Sequence, residues 1–220
     1  MFYKGVKKLI AVTIITIAMI STSTKVNASV IKSTTTISDK TVKEFSYYYN
    51  VLPVKLRTLF EVDGGNLVIY PEKQEVSGVI DSGWNSPGTL TGYYDASNIP
   101  TIYLNEKIIV RKKNFYPATA QRIVAHEFGH YVHTKVNETL YGSKSYYITE
   151  EFNQAYVLEI GNFVNIKDMS EGLKQSFSRI SSPDEFYANI FAGLILSPKE
   201  TKKIYPISSS LVEKDIALLQ

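Results

Sequence analysis

The chain has 220 residues, of which 44% are hydrophobic and 20% are charged, and its formal net charge is +3. It contains three histidines and no cysteine, so a disulfide framework, a thiol nucleophile and a cysteine zinc cage are excluded. Any transition-metal site must therefore use histidine, aspartate or glutamate side chains.

Residues 1–28 have the pattern of an export signal. Three lysines within the first eight residues precede the apolar run Leu9–Ile20, which is too short to span a bilayer. Val26–Ala28 supplies small residues at a cleavage point before Ser29. We predict that this segment is a signal peptide and that the protein is secreted; an uncleaved membrane anchor is the alternative.

Removal of the signal changes the charge of the protein. The signal holds four lysines and no acidic residue, so the formal net charge falls from +3 to −1 for the 192 residues that remain. The positive charge that would have indicated a nucleic-acid partner is therefore absent after removal of the signal, and we expect no such partner. We expect a single domain without stable membrane association, present as a monomer.

The first predicted elements are short helices. Residues 29–38 are polar and low in complexity, which predicts a flexible leader before a domain that spans residues 39–220. Apolar spacing predicts one helix from Asp39, which can cap it, to a break at Asn50. A second helix is predicted at Val54–Phe60.

Extended segments follow, and helices occupy most of the rest of the chain. Enrichment in Val, Ile and Tyr predicts strands at Asn66–Tyr70, Val76–Ile80 and Thr101–Leu104. Residues 81–88 have the composition of a loop. Apolar periodicity predicts helices at 117–136, 148–160, 183–196 and 209–218. This order predicts an α+β fold with a small twisted sheet and a C-terminal helical part.

All three histidines fall within eight residues, and the first opens the sequence His-Glu-Phe-Gly-His. On a helix that begins at Pro117, the rings of His126 and His130 project from one face and can converge on one ion. Glu127 is rotated by about 100° around the helix axis, away from the metal but near a metal-bound water. We interpret His133 as a solvent-facing residue or as one that supports a metal ligand.

This pattern indicates metal-assisted hydrolysis. Zinc held by two neutral imidazoles and one carboxylate keeps an open position for water and lowers the pKa of that water to about 7. Glu127 would take the proton as the hydroxide attacks a scissile carbonyl and would pass it to the leaving amine. Gly129 costs the helix roughly 1 kcal/mol relative to alanine, so we predict a close neighbour there. The alternative is a pair of surface histidines on an amphipathic helix.

The residues alone leave the third metal ligand open. Glu150 lies twenty residues after His130, and Glu151 beside it is a rival. Glu185 follows a Pro-Asp pair that opens a helix, which places it in the first turn. Spacing does not decide among these glutamates.

Five short segments occur in an order shared with a known family. They are Leu52–Leu56 before Gly64-Gly65, Gly78-Val79 ahead of Gly83-Trp84, the motif from His126 to His130, Glu171-Gly172, and Pro183–Ala188. With these segments the chain resembles the catalytic domain of anthrax lethal factor and its small secreted relatives, the Pro-Pro endopeptidases. The resemblance covers most of the chain after the signal. It implies a zincin-like single domain with one zinc ion per chain.

The resemblance also implies roles for individual residues. The implied zinc ligands are His126, His130 and Glu185. Glu127 is the implied general base. Trp84 and the segment Thr101–Leu104, with Tyr103, would border a cleft in which a peptide adds as a strand to the sheet edge.

Two positions depart from the pattern of that family. The family has a tyrosine seven residues before its glutamate ligand, where the hydroxyl helps to stabilise the oxyanion, whereas this chain has Ser178. Loss of such a donor costs about 2.7 to 4 kcal/mol in other enzymes. An acid four residues after the ligand is replaced by Asn189, which can accept a hydrogen bond from a histidine but polarises it less.

Together these features predict a secreted zinc-dependent metalloendopeptidase that acts on a peptide or protein substrate. The two departures keep an alternative open, namely a secreted binding protein of the same fold that holds zinc but is catalytically weak or inactive. Retention of zinc without peptide cleavage would favour the binding protein.

Overall fold

A computed structural model describes residues 30–33, 37–71, 92–110, 117–144, 148–162, 180 and 182–220. The strands in these ranges are β1 (Ile31–Ser33), β2 (Asn66–Tyr70), β3 (Gly92–Asp95) and β4 (Thr101–Asn105). The helices are α1 (Asp39–Asn50), α2 (Val54–Val62), α3 (Lys107–Val110), α4 (Pro117–Tyr141), α5 (Glu150–Glu159), α6 (Pro183–Leu196), α7 (Pro198–Ile204) and α8 (Pro206–Leu218). The predicted α+β fold is confirmed.

The four strands form one sheet in the order β1-β2-β4-β3. Strands β1, β2 and β4 are parallel, whereas β3 is antiparallel to β4 and is the last strand of the described sheet. Tyr94 pairs with Ile102 on the face that packs into the core, and both side chains are buried. Tyr93 pairs with Tyr103 on the opposite face, because successive side chains of a strand alternate.

Strand β1 lies within the segment predicted as a flexible leader, residues 29–38. Ile31 pairs with Leu67 of β2, and the Leu67 amide donates a hydrogen bond to the Val30 carbonyl at 2.9 Å. Residues 31–33 therefore form a strand within the segment for which the sequence predicts a flexible leader. Backbone pairing with a distant strand fixes them, and their side-chain composition gives no sign of it.

Strand β3 was not predicted. Its sequence Gly-Tyr-Tyr-Asp is too short to show the alternation by which a half-buried strand is recognised. The predicted strand Val76–Ile80, the loop 81–88 and the signal 1–28 lie outside the described residues.

The six predicted helices are present, most with shifted ends, whereas the short helices α3 and α7 were not predicted. Helix α1 is capped by Ser38, whose hydroxyl accepts the Thr41 amide at 3.2 Å, so the predicted cap, Asp39, is instead the first helical residue. Helix α4 continues beyond residue 136 to Tyr141. Helix α8 begins at Pro206, before the predicted residue 209, because proline suits the first position of a helix. Within the described ranges, no helix has the length and apolar character needed to cross a bilayer.

Helix α4 lies between the sheet and the C-terminal helices and is held there by aromatic side chains. Phe60 of α2 packs edge-to-face on Tyr131 with ring centroids 4.9 Å apart and contacts Phe128 at 5.4 Å. On the side facing α6, Phe128 meets Phe191 at 6.2 Å. Full burial of one such ring contributes about 1.5 to 3 kcal/mol, so these contacts fix the rotation of α4 about its axis. They therefore also fix the direction in which its histidines point.

Candidate metal centre

His126 and His130 lie one turn apart on α4, and their rings converge. The two Nε2 atoms are 3.3 Å apart, and the ring planes are nearly perpendicular at 88°. His130 is buried, with 6% of its surface exposed. The alternative of two unrelated surface histidines does not describe this arrangement.

Glu185 reaches the two imidazoles from the first turn of α6. Its carboxylate oxygens lie 3.2 Å from His126 Nε2 and 3.5 Å from His130 Nε2. One ligand atom from each of the three residues lies within 4.8 Å of the others. The helix start fixes this position, because the Ser182 hydroxyl accepts the Glu185 amide at 3.3 Å and Pro183 occupies the first helical position.

The rival glutamates lie elsewhere. Glu150 opens α5 on the surface, where its Oε1 accepts the Gln154 side-chain amide at 3.1 Å. Glu151 is likewise exposed at the start of that helix. The structure therefore brings Glu185, and neither of the other two candidates, to the histidine pair.

Gly129 allows α4 and α6 to approach closely. A Cβ at this position would lie 2.9 Å from the Ala188 Cα and 3.2 Å from the Phe191 Cβ, distances that require the helices to separate. The predicted close neighbour of Gly129 is confirmed. Since Glu185 lies one turn before Ala188 on α6, this close packing also brings its carboxylate to the histidines.

Glu127 is buried beside the start of β3, with 8% of its surface exposed. A Cβ on Gly92 would lie 2.7 Å from the Glu127 Oε1, so any other residue at position 92 would require the Glu127 carboxylate to shift. Burial raises the pKa of Glu127, and the Glu185 and Asp184 carboxylates raise it further, whereas His126 and His130 lower it in part. A raised pKa brings the carboxyl group closer to the range in which a general base works.

Asp184 connects the histidine pair to His133. Its Oδ2 lies 3.2 Å from His130 Nδ1, and its Oδ1 lies 2.9 Å from His133 Nδ1. Burial alone would raise the pKa of Asp184, but the contacts with His130 and His133 outweigh burial and lower it to about 2. Burial would likewise lower the pKa of His130, yet Asp184 and Glu185 raise it to about 10. The same contacts hold the pKa of Glu185 well below its usual range despite its burial.

Asn189 stands where the family that the sequence resembles has an acid, and its described hydrogen bonds are to groups other than the histidines. Its side-chain amide donates to the Glu185 carbonyl at 2.9 Å, and its Oδ1 and carbonyl oxygens lie 3.4 Å from the buried Arg122 guanidinium. Asn189 therefore links α6 to Arg122, which lies one turn before His126 on α4. The carboxylate that contacts Nδ1 of His130 is supplied by Asp184.

Among the described residues, the predicted Tyr103 is not part of this cluster. Tyr103 is half-buried on the other face of the sheet and stacks on Tyr93, with ring centroids 6.4 Å apart. Trp84 and Ser178 lie outside the described residues. Sequence reasoning missed Gly92, for which the chain gives no local signal. It also missed the contact of Asp184 with the histidines, although the acid was visible at the start of a predicted helix.

Comparisons with known proteins agree with this fold. No protein-family model and no curated protein matches the chain. Among solved structures, the Pro-Pro endopeptidase (PPEP-2) from Paenibacillus alvei is similar, with a TM-score of 0.56 and 15% sequence identity. The match covers 84% of this chain and 96% of that one. At this identity the likeness concerns the fold alone, and the chain accordingly has a zincin-like α+β fold.

Proposed function

We propose that the protein is a zinc-dependent metalloendopeptidase. The observation that carries this proposal is the convergence of His126, His130 and Glu185 from two helices, with the buried carboxylate of Glu127 beside them. The fold likeness to a protein named as an endopeptidase supports the same class of reaction.

The donor atoms fit zinc. Two imidazole nitrogens and a carboxylate oxygen are a ligand set found in catalytic zinc sites, and the distances among them suit a single ion. Zinc held by three protein ligands keeps one position open, polarises a carbonyl group and lowers the pKa of a water to about 7. In the described cluster, the side chains of His126, His130 and Glu185 would hold the ion.

Glu127 moves the proton in this mechanism. Its carboxylate accepts a proton from the attacking water and returns it to the leaving amine, because burial raises its pKa toward the range where both transfers are favourable. Contact with Gly92 restricts where the carboxylate lies, so the base is held in position before substrate binds.

The proposed substrate is an extended peptide. Gly92 opens the last strand of the described sheet and contacts Glu127, so a peptide that adds to β3 as a further strand would run beside the base. Tyr103 and Trp84 remain the predicted substrate-binding side chains. Tyr103 pairs with Tyr93, the residue next to Gly92, and this pairing supports a position of Tyr103 near the β3 edge of the sheet.

Residues 1–28 support the proposal that this peptidase acts outside the cell. Their basic start and short apolar run are typical of a secretory signal. Sequencing of the exported protein from its N-terminus tests this, and we expect it to begin at Ser29.

The test of function is cleavage of a peptide library that includes Pro-Pro sequences, with and without a chelator. We expect internal cleavage that the chelator abolishes and that added zinc restores. Glu127→Gln is the matched control, because it preserves the shape of the side chain but cannot accept the proton. We expect this variant to bind zinc without cleaving peptides.

A second candidate function rests on Ser178, which stands where the resembled family has the tyrosine whose hydroxyl helps to stabilise the oxyanion. A chain without that donor could bind zinc and peptide with little turnover. Zinc in the wild-type protein without cleavage of any library peptide would favour this binding protein over the enzyme.

A further inference from the structure

His133 is a buried histidine that has no role in the proposed mechanism. It lies one turn after His130 on α4, and 4% of its surface is exposed. Its Nδ1 is 2.9 Å from the Asp184 Oδ1. Because an ionised carboxylate can only accept hydrogen bonds, Nδ1 of His133 is the protonated nitrogen and donates a hydrogen bond to Asp184.

The other oxygen of the same carboxylate faces the metal centre. Asp184 Oδ2 lies 3.2 Å from Nδ1 of His130, whose Nε2 points at His126 and Glu185. This contact is at ion-pair distance and outside the alignment of a hydrogen bond, but the negative charge beside Nδ1 favours the tautomer with its proton there, which leaves Nε2 free to bind a metal. The orientation of the Asp184 carboxylate therefore determines whether its Oδ2 stays close to Nδ1 of His130.

His133 is itself held in one orientation. Its ring stacks on the ring of Tyr187, with centroids 4.4 Å apart and planes 20° from parallel. The Tyr187 hydroxyl donates to the Asp215 carboxylate on α8 at 3.1 Å. A chain of contacts thus runs from the C-terminal helix through Tyr187, His133 and Asp184 to His130.

We infer that His133 is a positioning residue for the metal centre, which holds the Asp184 carboxylate so that its second oxygen faces His130. Without a donor at Oδ1, the carboxylate is free to turn about its Cβ–Cγ bond and its contact with His130 weakens. The sequence offered two interpretations of His133, and its burial and hydrogen bond favour support of a ligand over exposure to solvent.

A purely structural role predicts a different result. If His133 only joined α4 to α6, its replacement would lower the stability of the metal-free protein and leave zinc affinity unchanged once the protein is folded. A positioning role predicts that zinc affinity depends on a donor at the place of Nδ1. The two roles are separated by substitutions that keep either the ring or the donor.

The experiment measures the zinc dissociation constant by competition with a chromogenic chelator, together with thermal unfolding of the metal-free protein. His133→Phe keeps a flat ring that can stack on Tyr187 but removes the donor. His133→Asn places an amide N–H at the position of Nδ1. We expect His133→Phe to bind zinc about tenfold more weakly, near the lower end of effects seen when groups behind a metal ligand are removed. We expect His133→Asn to recover most of that loss.

Equal zinc affinity in His133→Phe and wild type would overturn the inference, as would a loss in His133→Asn as large as that in His133→Phe. If His133→Phe does not fold, His133→Gln replaces it, because its amide reaches the position of Nε2 and misses Asp184. Since the inference rests on the proposed zinc site, wild-type binding is measured first. A wild-type protein that binds no zinc contradicts the proposed function, whereas zinc binding that is insensitive to position 133 contradicts only the role of His133.

Discussion

Gly92 and Glu127 are in direct contact: a Cβ on Gly92 would lie 2.7 Å from the Oε1 and 2.8 Å from the Cγ of Glu127. The last strand of the described sheet and the helix that carries the histidines therefore meet at the proposed base. Glycine at position 92 leaves space for the carboxylate in this position, and its backbone is not in the left-handed conformation.

The variant Gly92→Ala should separate catalysis from stability. The atoms that the new methyl group meets belong to a flexible side chain, so we expect Glu127 to move rather than the backbone. Displacement of a catalytic group by about 1 Å can cost about 100-fold in rate, so we predict a fall in kcat of that order with unchanged zinc content. Gly161→Ala is the matched control, because a Cβ there meets no atom within 4 Å. Full activity in Gly92→Ala would contradict the role of this contact.

The variant Gly129→Ala tests the close packing of α4 on α6. Alanine favours a helix by about 1 kcal/mol relative to glycine. The new methyl group would meet backbone atoms of Ala188, which cannot move unless the helices separate, and such overpacking costs about 1 to 3 kcal/mol. We therefore predict a net loss of stability of up to about 2 kcal/mol and weaker zinc binding, measured by urea unfolding and metal titration. A more stable variant with unchanged zinc affinity would show that the helices approach less closely.

The metal-free protein should lose stability on both sides of a plateau in pH. The pKa of His130 is raised to about 10, so its contribution is fully present below its ordinary pKa, about 6.5, and is lost as the pH rises toward 10. Ionisation of buried Glu127 acts in the same direction, because its pKa is raised. The pKa of Asp184 is lowered to about 2, so its contribution is present above an ordinary pKa of about 3.9 and is lost toward pH 2.

Thermal unfolding of the chelator-treated protein between pH 3 and pH 10 checks this pattern. We expect the highest Tm between about pH 4 and pH 6.5. Added zinc should restore stability on the alkaline side, because the metal binds the deprotonated imidazole. Asp184→Asn should flatten the profile on both sides. A Tm that rises steadily from pH 6.5 to pH 9 without metal would contradict the contacts of His130.

Local signals in the sequence were enough to predict much of the fold. The Pro-Asp pair and the apolar run after it predicted the helix at 183–196, and the structure has α6 at Pro183–Leu196. The strands β2 and β4 were predicted from runs of Val, Ile and Tyr. The short strands β1 and β3 were not, because their stability comes from pairing with strands distant in the sequence.

The candidate site, like the fold, was only partly predictable from the sequence. The spacing of His126 and His130 places both rings on one face of a helix, and this spacing can be seen in the sequence. The contacts of Asp184 and Gly92 join residues from separate elements, and they depend on how closely α6 and β3 approach α4. No local pattern encodes those distances, so the sequence left three glutamates as candidates for the third ligand.

The most direct measurement is the zinc content of three purified proteins: wild type, Glu185→Ala and Glu150→Ala. Glu185 lies 3.2 Å from the His126 imidazole, whereas Glu150 is exposed at the start of α5. We predict one zinc per chain in wild type and in Glu150→Ala, and a loss of bound zinc in Glu185→Ala. A wild-type protein without zinc, or loss of zinc only in Glu150→Ala, would contradict a metal centre formed by His126, His130 and Glu185.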